Sequence, residues 1–435
     1  MILGDPKQSR DREGAVAKAL PAALATAPLR SRLYFCLWFL LLTPGFAQSA
    51  LPQLEARANE LKTRGDAAGA LAAWEEAARL DPKSARIQDE IGFLLAVLNR
   101  RDEAMQHFER AVSLDPKFAP AHYHLGVAYW LARDPSRAIP ELQAAAAAGP
   151  RSFEYRFFLG NAFNATQHYQ EALPELIAAT AANPKHSEAW NQLGLARQNT
   201  ADLAGALEAY RKAVALNPAN LDARNNLGFM LVNTGKAEEG VVQFRAILAA
   251  DPNNVIARLN IGFAHLQKAE LDQAERDFRD VLKRDPSSAV AHYDLAVAFK
   301  QRDNLDGART ELQQALSIDP RLAEAHYTLG IIHWQSGEFD EAAKEFAAAT
   351  EISPDYGEAQ FMLGTALKQK GDLPGAETAL RSAIRLTPAD PGPYNTLGQV
   401  LKLKGDDAGS KEAFAEGAKV KQRKEVELGK MLQKK

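Results

Sequence analysis

A proline stands every thirty-four residues, at Pro82, Pro116, Pro150, Pro184, Pro218, Pro252, Pro286, Pro320, Pro354 and Pro388. A second series keeps the same period: Gly92, Gly126, Gly160, Gly194, Gly228, Gly262, Ala296, Gly330, Gly364 and Gly398. Two phased series of this length leave one architecture, in which a single supersecondary unit is stacked on copies of itself. The length prior of about three globular domains for 435 residues gives way, because a repeat array buries its core between neighbours.

Repeats counted from Leu51, Ala85, Ala119, Phe153, Ser187, Leu221, Val255, Ala289, Ala323, Gly357 and Pro391 give eleven units ending at Lys424. Position seven is apolar, as at Leu125, Leu193, Ile261 and Leu329, and a small residue follows it. With positions four and eleven these make one face of a helix, expected to be buried. In the second half a small residue at position twenty, such as Ala70, Ala138 or Ala274, is answered four places on by Trp74, Leu142 or Phe278. Small against large at helical spacing lets two helices approach while filling the gap between them. Gly65, Asn99, Gly235, Gly337, Gly371 and Gly405 stand between the halves, residue types that accept the left-handed backbone ending a helix. Asp or Asn before the recurring proline stops the second helix. Each unit reads as a helical hairpin. Position twenty-seven is small in most units but carries Ile247 and Val281 in the sixth and seventh, which predicts wider helix spacing or altered curvature over residues 240–300.

The residues at these positions resemble the tetratricopeptide repeat. Its pattern of Trp, Leu-Gly, Ala, aromatic and Pro is met most fully by Trp190, Leu193, Gly194, Ala206, Tyr210, Ala213 and Pro218. The first unit departs with Arg57-Ala58 and the last with Ser410 and Gly417, as terminal caps often do. The resemblance implies an all-α, right-handed superhelical solenoid whose first helices line a concave groove for extended or helical segments of partner proteins.

Two sets of residues at groove-directed positions are candidates for peptide binding. Position thirteen carries Asn199, Asn233, Gln267, Gln301, Gln335 and Gln369. Carboxamides donate and accept, so a ladder of them suits the backbone of an extended peptide, the alternative being a solvated helix end. Position five carries Tyr123, Phe157, Tyr293, Tyr327 and Phe361, either anchors for partner side chains or rings packed against neighbouring helices. Histidines recur at position four (His122, His292, His326) and at position eleven (His265, His333). A metal site needs ligands converging on one point, and successive repeats set equivalent positions about 10 Å apart, which favours packing. No phosphate loop, nucleophile elbow or zinc-protease motif is present, and the repeats leave no space for a catalytic domain before Lys424. The expectation is a non-enzyme without cofactor or metal.

Charge and the N-terminus set the context. The net charge of -3 gives no basic field for nucleic acid. Residues 1–50 contribute +3 and residues 419–435 +5, so the body between them is acidic and its tail, 425–435, is expected to cap the last helix. Leu33–Leu42 is an apolar run preceded by Arg30 and Arg32 and followed by small residues to Ala47. That order predicts a signal segment, residues 1–47 with a long N-terminal extension, cleaved after Ala47. It is short for a membrane span, which needs about 20 residues. Cys36, the single cysteine, lies within it, so the repeats hold no disulfide. The expected function is a protein-binding scaffold, periplasmic or extracellular. The alternatives are a membrane-anchored adaptor in envelope assembly or polysaccharide export, and a glycan-binding or glycosyltransferase-associated module.

Overall fold

The computed structural model describes residues 44–432, all of its regular structure helical. The expected apolar segment Leu33–Leu42 lies outside these residues, and Ala47 falls within the first helix. Among the described residues no helix is long and apolar enough to cross a membrane. The chain divides into two compact blocks, Met1–Asn217 and Pro218–Lys435.

The first block holds five hairpins: α1 (Pro44–Thr63) with α2 (Ala67–Leu80), α3 (Ala85–Val97) with α4 (Arg101–Leu114), and α5 (Ala119–Leu131) with α6 (Pro135–Ala148). It ends with α7 (Phe153–Ala165) against α8 (Tyr169–Ala182) and α9 (Ser187–Asn199) against α10 (Leu203–Leu216). The second block holds six: α11 (Leu221–Asn233) with α12 (Ala237–Ala250), α13 (Val255–Gln267) with α14 (Leu271–Arg284), and α15 (Ala289–Gln301) with α16 (Leu305–Ile318). Then follow α17 (Ala323–Gln335) with α18 (Phe339–Ile352), α19 (Gly357–Lys370) with α20 (Leu373–Leu386), and α21 (Pro391–Leu403) with α22 (Asp407–Leu432). α22 is continuous from the last hairpin into the basic tail.

Recurring local chemistry punctuates the hairpins, except that α17 and α18 both start without a side-chain cap. Side-chain caps start the helices: Ser84, Ser152, Asn220, Asn254 and Ser288 open first helices, and Asp66, Asp134, Asp202, Asn304 and Asp372 open second ones. Position fifteen is left-handed in all eleven repeats, at Gly65, Gly235, Gly337, Gly371 and Gly405 as anticipated. Asn99, also anticipated, takes it up with φ 62°, and Arg133, Gln167, Ala201, Ala269 and Asp303, outside the anticipated residue types, do so with φ between 56° and 65°. For side-chain-bearing residues this conformation costs about 1–2 kcal/mol, so packing of the two helices imposes it.

Between the helices lies the small-against-large stripe. Trp74, Tyr210, Phe244, Phe278 and Phe346 are fully buried, as are the alanines that flank them. A Cβ at Gly194 would stand 2.6 Å from the Tyr210 ring, so only glycine admits the second helix this closely. Ile247 and Val281 are enclosed too, and at Gly240 a Cβ would come 2.7 Å from Gly228 O, which means the helices there are in intimate contact. The predicted widening over residues 240–300 thus fails for α11 with α12, whereas α13 and α14, the hairpin that carries Val281, approach each other less closely than the helices of any other hairpin. Consecutive first helices touch from α3 to α9 and from α11 to α15, but the backbones of α15, α17 and α19 approach one another less closely.

Candidate functional site

Within each block the first helices meet first helices, and no pair of second helices meets to a comparable extent. The first helices thus make the inner, tighter side of the stack, and their outward-facing positions form its surface. A fixed register governs the seam between neighbouring first helices. Position five of one repeat faces positions two and six of the next, and position twelve faces positions six and nine.

Examples from both blocks establish it. Glu55 pairs with Arg86, and His124 Nδ1 lies 2.7 Å from Asp89 Oδ1. Asn260 Nδ2 donates to Asn225 Oδ1 at 2.7 Å, and the side chains of Tyr293 and Thr328 are hydrogen-bonded. Lys62 Nζ bonds Glu90 at 2.8 Å while sitting 4.3 Å from the Phe93 ring centre. Asn164 Nδ2 donates to Gln192 O at 2.9 Å, and Lys368 Nζ to Gln399 Oε1 at 2.7 Å. Asp294 is the exception. It is 3% exposed, and its register partners are the leucines Leu259 and Leu266. Its Oδ2 has no hydrogen bond, and burial alone pushes its carboxyl up to about 7.

The carboxamide positions all lie in the last turn of first helices. In the second block Asn233, Gln267, Gln301, Gln335 and Gln369 are exposed and none makes a side-chain hydrogen bond among the described residues. Asn199, in the first block, is half-buried and bonds the Leu195 carbonyl of its own helix at 2.9 Å. The structure thus separates it from the other five.

The rings of position five are all partly packed. Phe157 is 8% exposed and stacks on Phe153, which leaves little of it to a partner. Tyr123 is half-buried against Tyr155, 5.0 Å between centres, and edge-on to Phe158. Tyr327 lies 5.0 Å from Tyr356, and Phe361 packs in the core of the last hairpins. Burial raises the phenols of Tyr123, Tyr293 and Tyr327 above their usual range. Adjacent carboxylates add to this, Glu154 on Tyr123, Asp294 and Glu324 on Tyr293, and Glu358 on Tyr327.

The position-four histidines are structural clamps. His122 Nδ1 meets Glu141 at 2.6 Å and its Nε2 the Pro116 carbonyl at 3.0 Å, tying a first helix to its own second helix and to the preceding turn. His292 and His326 repeat this with Glu311 and Pro286, and with Glu345 and Pro320. Arg156, Arg224 and Arg258 reach the equivalent prolyl carbonyls elsewhere. At position eleven, His265 Nδ1 lies 2.5 Å from Asp277 and His333 pairs with Glu338. Sequence reading assigned these histidines to packing and missed the carbonyl they grip. The signal was present in the constant offset of six residues from each proline.

The class of protein defined by this fold is an all-α solenoid of helical hairpins with a continuous first-helix surface in each block. Tetratricopeptide-repeat models match it by sequence, one over residues 123–177 and 327–391, another over 97–132, 202–235 and 298–337. The chain is a tetratricopeptide-repeat protein, and its fold is that of a protein–protein interaction scaffold. No curated protein sequence matches it. Among solved structures it is similar to yeast Tom70, at 15% identity over 89% of this chain and 97% of that one, with a TM-score of 0.49. It is also similar to YrrB, a TPR protein with an unusual peptide-binding site, at 26% identity over 41% of this chain and 95% of that one, TM-score 0.36. MamA matches at 23% identity over 38% of this chain and 97% of that one, TM-score 0.36.

Proposed function

We propose that the protein is a non-catalytic scaffold that binds extended segments of partner proteins along its first-helix surfaces, and that it acts outside the cytoplasm. One observation carries the binding mode: Asn233, Gln267, Gln301, Gln335 and Gln369 stand in the last turn of five consecutive first helices, exposed and with both donor and acceptor free. Equivalent residues of stacked helices lie about 10 Å apart, close to the span of three residues of extended chain. Each amide thus meets a peptide backbone at a regular interval, and affinity comes from main-chain hydrogen bonds with little regard to sequence. The location rests on the basic flank, the Leu33–Leu42 run and the small residues up to Ala47.

Replacing Gln267, Gln301 and Gln335 by alanine is expected to weaken capture of extended peptides from a random library about tenfold, at about 0.5–1.5 kcal/mol per bond with partial additivity. Unchanged capture removes the ladder from the mechanism. N-terminal sequencing of mature protein tests the location: a chain beginning just after Ala47 supports it, and an intact Leu33–Leu42 segment in a membrane fraction favours the anchored adaptor instead.

A further inference from the structure

Position five bears an aromatic ring in five repeats, and in four of them a glutamate follows thirty-one residues later, at position two of the next repeat. The pairs are Tyr123 with Glu154, Phe157 with Glu188, Tyr293 with Glu324, and Tyr327 with Glu358. In the repeats with a non-aromatic position five no glutamate follows: Glu55, Asp89, Asn191, Asn225 and Leu259 lead to Arg86, Pro120, Asp222, Ile256 and Val290. The seam register places each such glutamate beside its ring, and the electrostatic action of Glu324 on Tyr293 and of Glu358 on Tyr327 agrees with it.

An aromatic face beside a carboxylate is a receptor for an ammonium or guanidinium group. The molecule contains the filled version. Lys62 lies over Phe93 and bonds Glu90 on the inner surface of the first block, and Arg86 occupies position two opposite Glu55. At Tyr293 with Glu324 and at Tyr327 with Glu358 the chain supplies no such cation: neither glutamate has an ion pair among the described residues, and no basic group lies over either ring. The lysines of this surface, Lys300, Lys368 and Lys402, stand at position twelve, ten residues further along their helices and so about 15 Å from position two. The backbones of α15, α17 and α19 are also spread at this point. The result is an acidic, tyrosine-lined lane toward the N-terminal ends of the first helices, with the amide lane toward their C-terminal ends.

We propose that Tyr293 with Glu324 and Tyr327 with Glu358 form two consecutive subsites for Lys or Arg side chains of an extended partner segment, the two cations three residues apart. The spacing follows from a repeat step of about 10 Å against about 3.1 Å per residue of a partner segment in the polyproline-II conformation, whose three-residue turn returns side chains three apart to the same face. Tyr356, in ring contact with Tyr327, closes the second subsite. This inference rests on the first-helix surface being the binding surface, as proposed above, and adds the chemistry of what binds there.

Fluorescence anisotropy on the full chain at low salt tests it, with labelled, end-blocked Gly/Ser peptides of about twelve residues. One peptide carries Arg-Ser-Ser-Arg, one Ser-Arg-Arg-Ser, one Glu-Ser-Ser-Glu, and one neither charge. The spaced arginine peptide is expected to bind at least about fivefold more tightly than the adjacent one, and the glutamate peptide more weakly than the neutral one. Glu324→Gln with Glu358→Gln is expected to lower affinity for the spaced peptide about tenfold and leave the neutral peptide unchanged. Glu341→Gln with Glu351→Gln, exposed on α18, is the matched control and is expected to change neither. Equal affinity for both arginine spacings, or indifference to the Glu324 and Glu358 substitutions, overturns the subsites while amide-dependent binding of the neutral peptide still upholds the surface. Failure of every peptide to bind overturns both.

Discussion

Replacing Ala269 with glycine is expected to stabilise the hairpin of α13 and α14, and replacing Gly235 with alanine to destabilise that of α11 and α12. Both residues occupy position fifteen with positive φ, 56° at Ala269 and 78° at Gly235. Ala269 is exposed, so glycine there forfeits no buried surface, and a Cβ at Gly235 would find nothing within 4 Å, so alanine there introduces no clash. Each substitution therefore reads backbone conformation alone. Left-handed backbone costs alanine about 1–2 kcal/mol, and the greater freedom of unfolded glycine returns about 0.4–1 kcal/mol of that difference. The net expectation is about 0.5–1 kcal/mol in each direction. Repeat arrays do not unfold in one step, so the local measurement is hydrogen exchange of the amides in the flanking helices. Protection is expected to rise up to about fivefold around Ala269→Gly and to fall by a similar factor around Gly235→Ala. A loss of protection in Ala269→Gly, or no change in Gly235→Ala, refutes the claim that packing forces the turn.

Substituting His122 by leucine orphans the Pro116 carbonyl and Glu141 and is expected to cost about 2 kcal/mol in chemical denaturation, while His122→Arg retains most of the stability because arginine fills the same place in other repeats. Asp294, its carboxyl pushed up to about 7 by burial, keeps its proton in the folded chain where the unfolded chain, near 3.9, has lost it. Its contribution therefore falls as pH rises from about 4 to about 7 and then levels, and urea titrations are expected to show Asp294→Asn more stable by up to about 4 kcal/mol above that window and little changed below it. Gly194→Ala is expected to destabilise by about 1 kcal/mol despite alanine's helix propensity, since its Cβ meets the Tyr210 ring at 2.6 Å, and a thermal melt checks the sign.

Periodicity alone located the hairpins, the buried alanines at positions twenty and twenty-seven, and the exposed amides at position thirteen. It works because helical burial follows a local period of about 3.6 residues, which neighbouring residues reveal together. Residue type was a weaker guide where the fold overrules preference: Arg133, Gln167, Ala201 and Ala269 share the left-handed turn without any local mark of it. Position five shows the same limit, since an aromatic residue reads alike whether it is enclosed, as Phe157 is, or half-buried beside a carboxylate, as Tyr327 is.

The proline period determined by itself that this chain is a stack of helical hairpins and which positions pack. Only the tertiary structure decided the seam: that Asn225 meets Asn260, that Tyr293 stands beside Glu324, and that Asp294 is buried there with Oδ2 unpaired. Those partners lie thirty-one to thirty-five residues apart, in hairpins whose relative packing is a sum of many weak contacts, and no local pattern encodes the angle at which one repeat settles on the next.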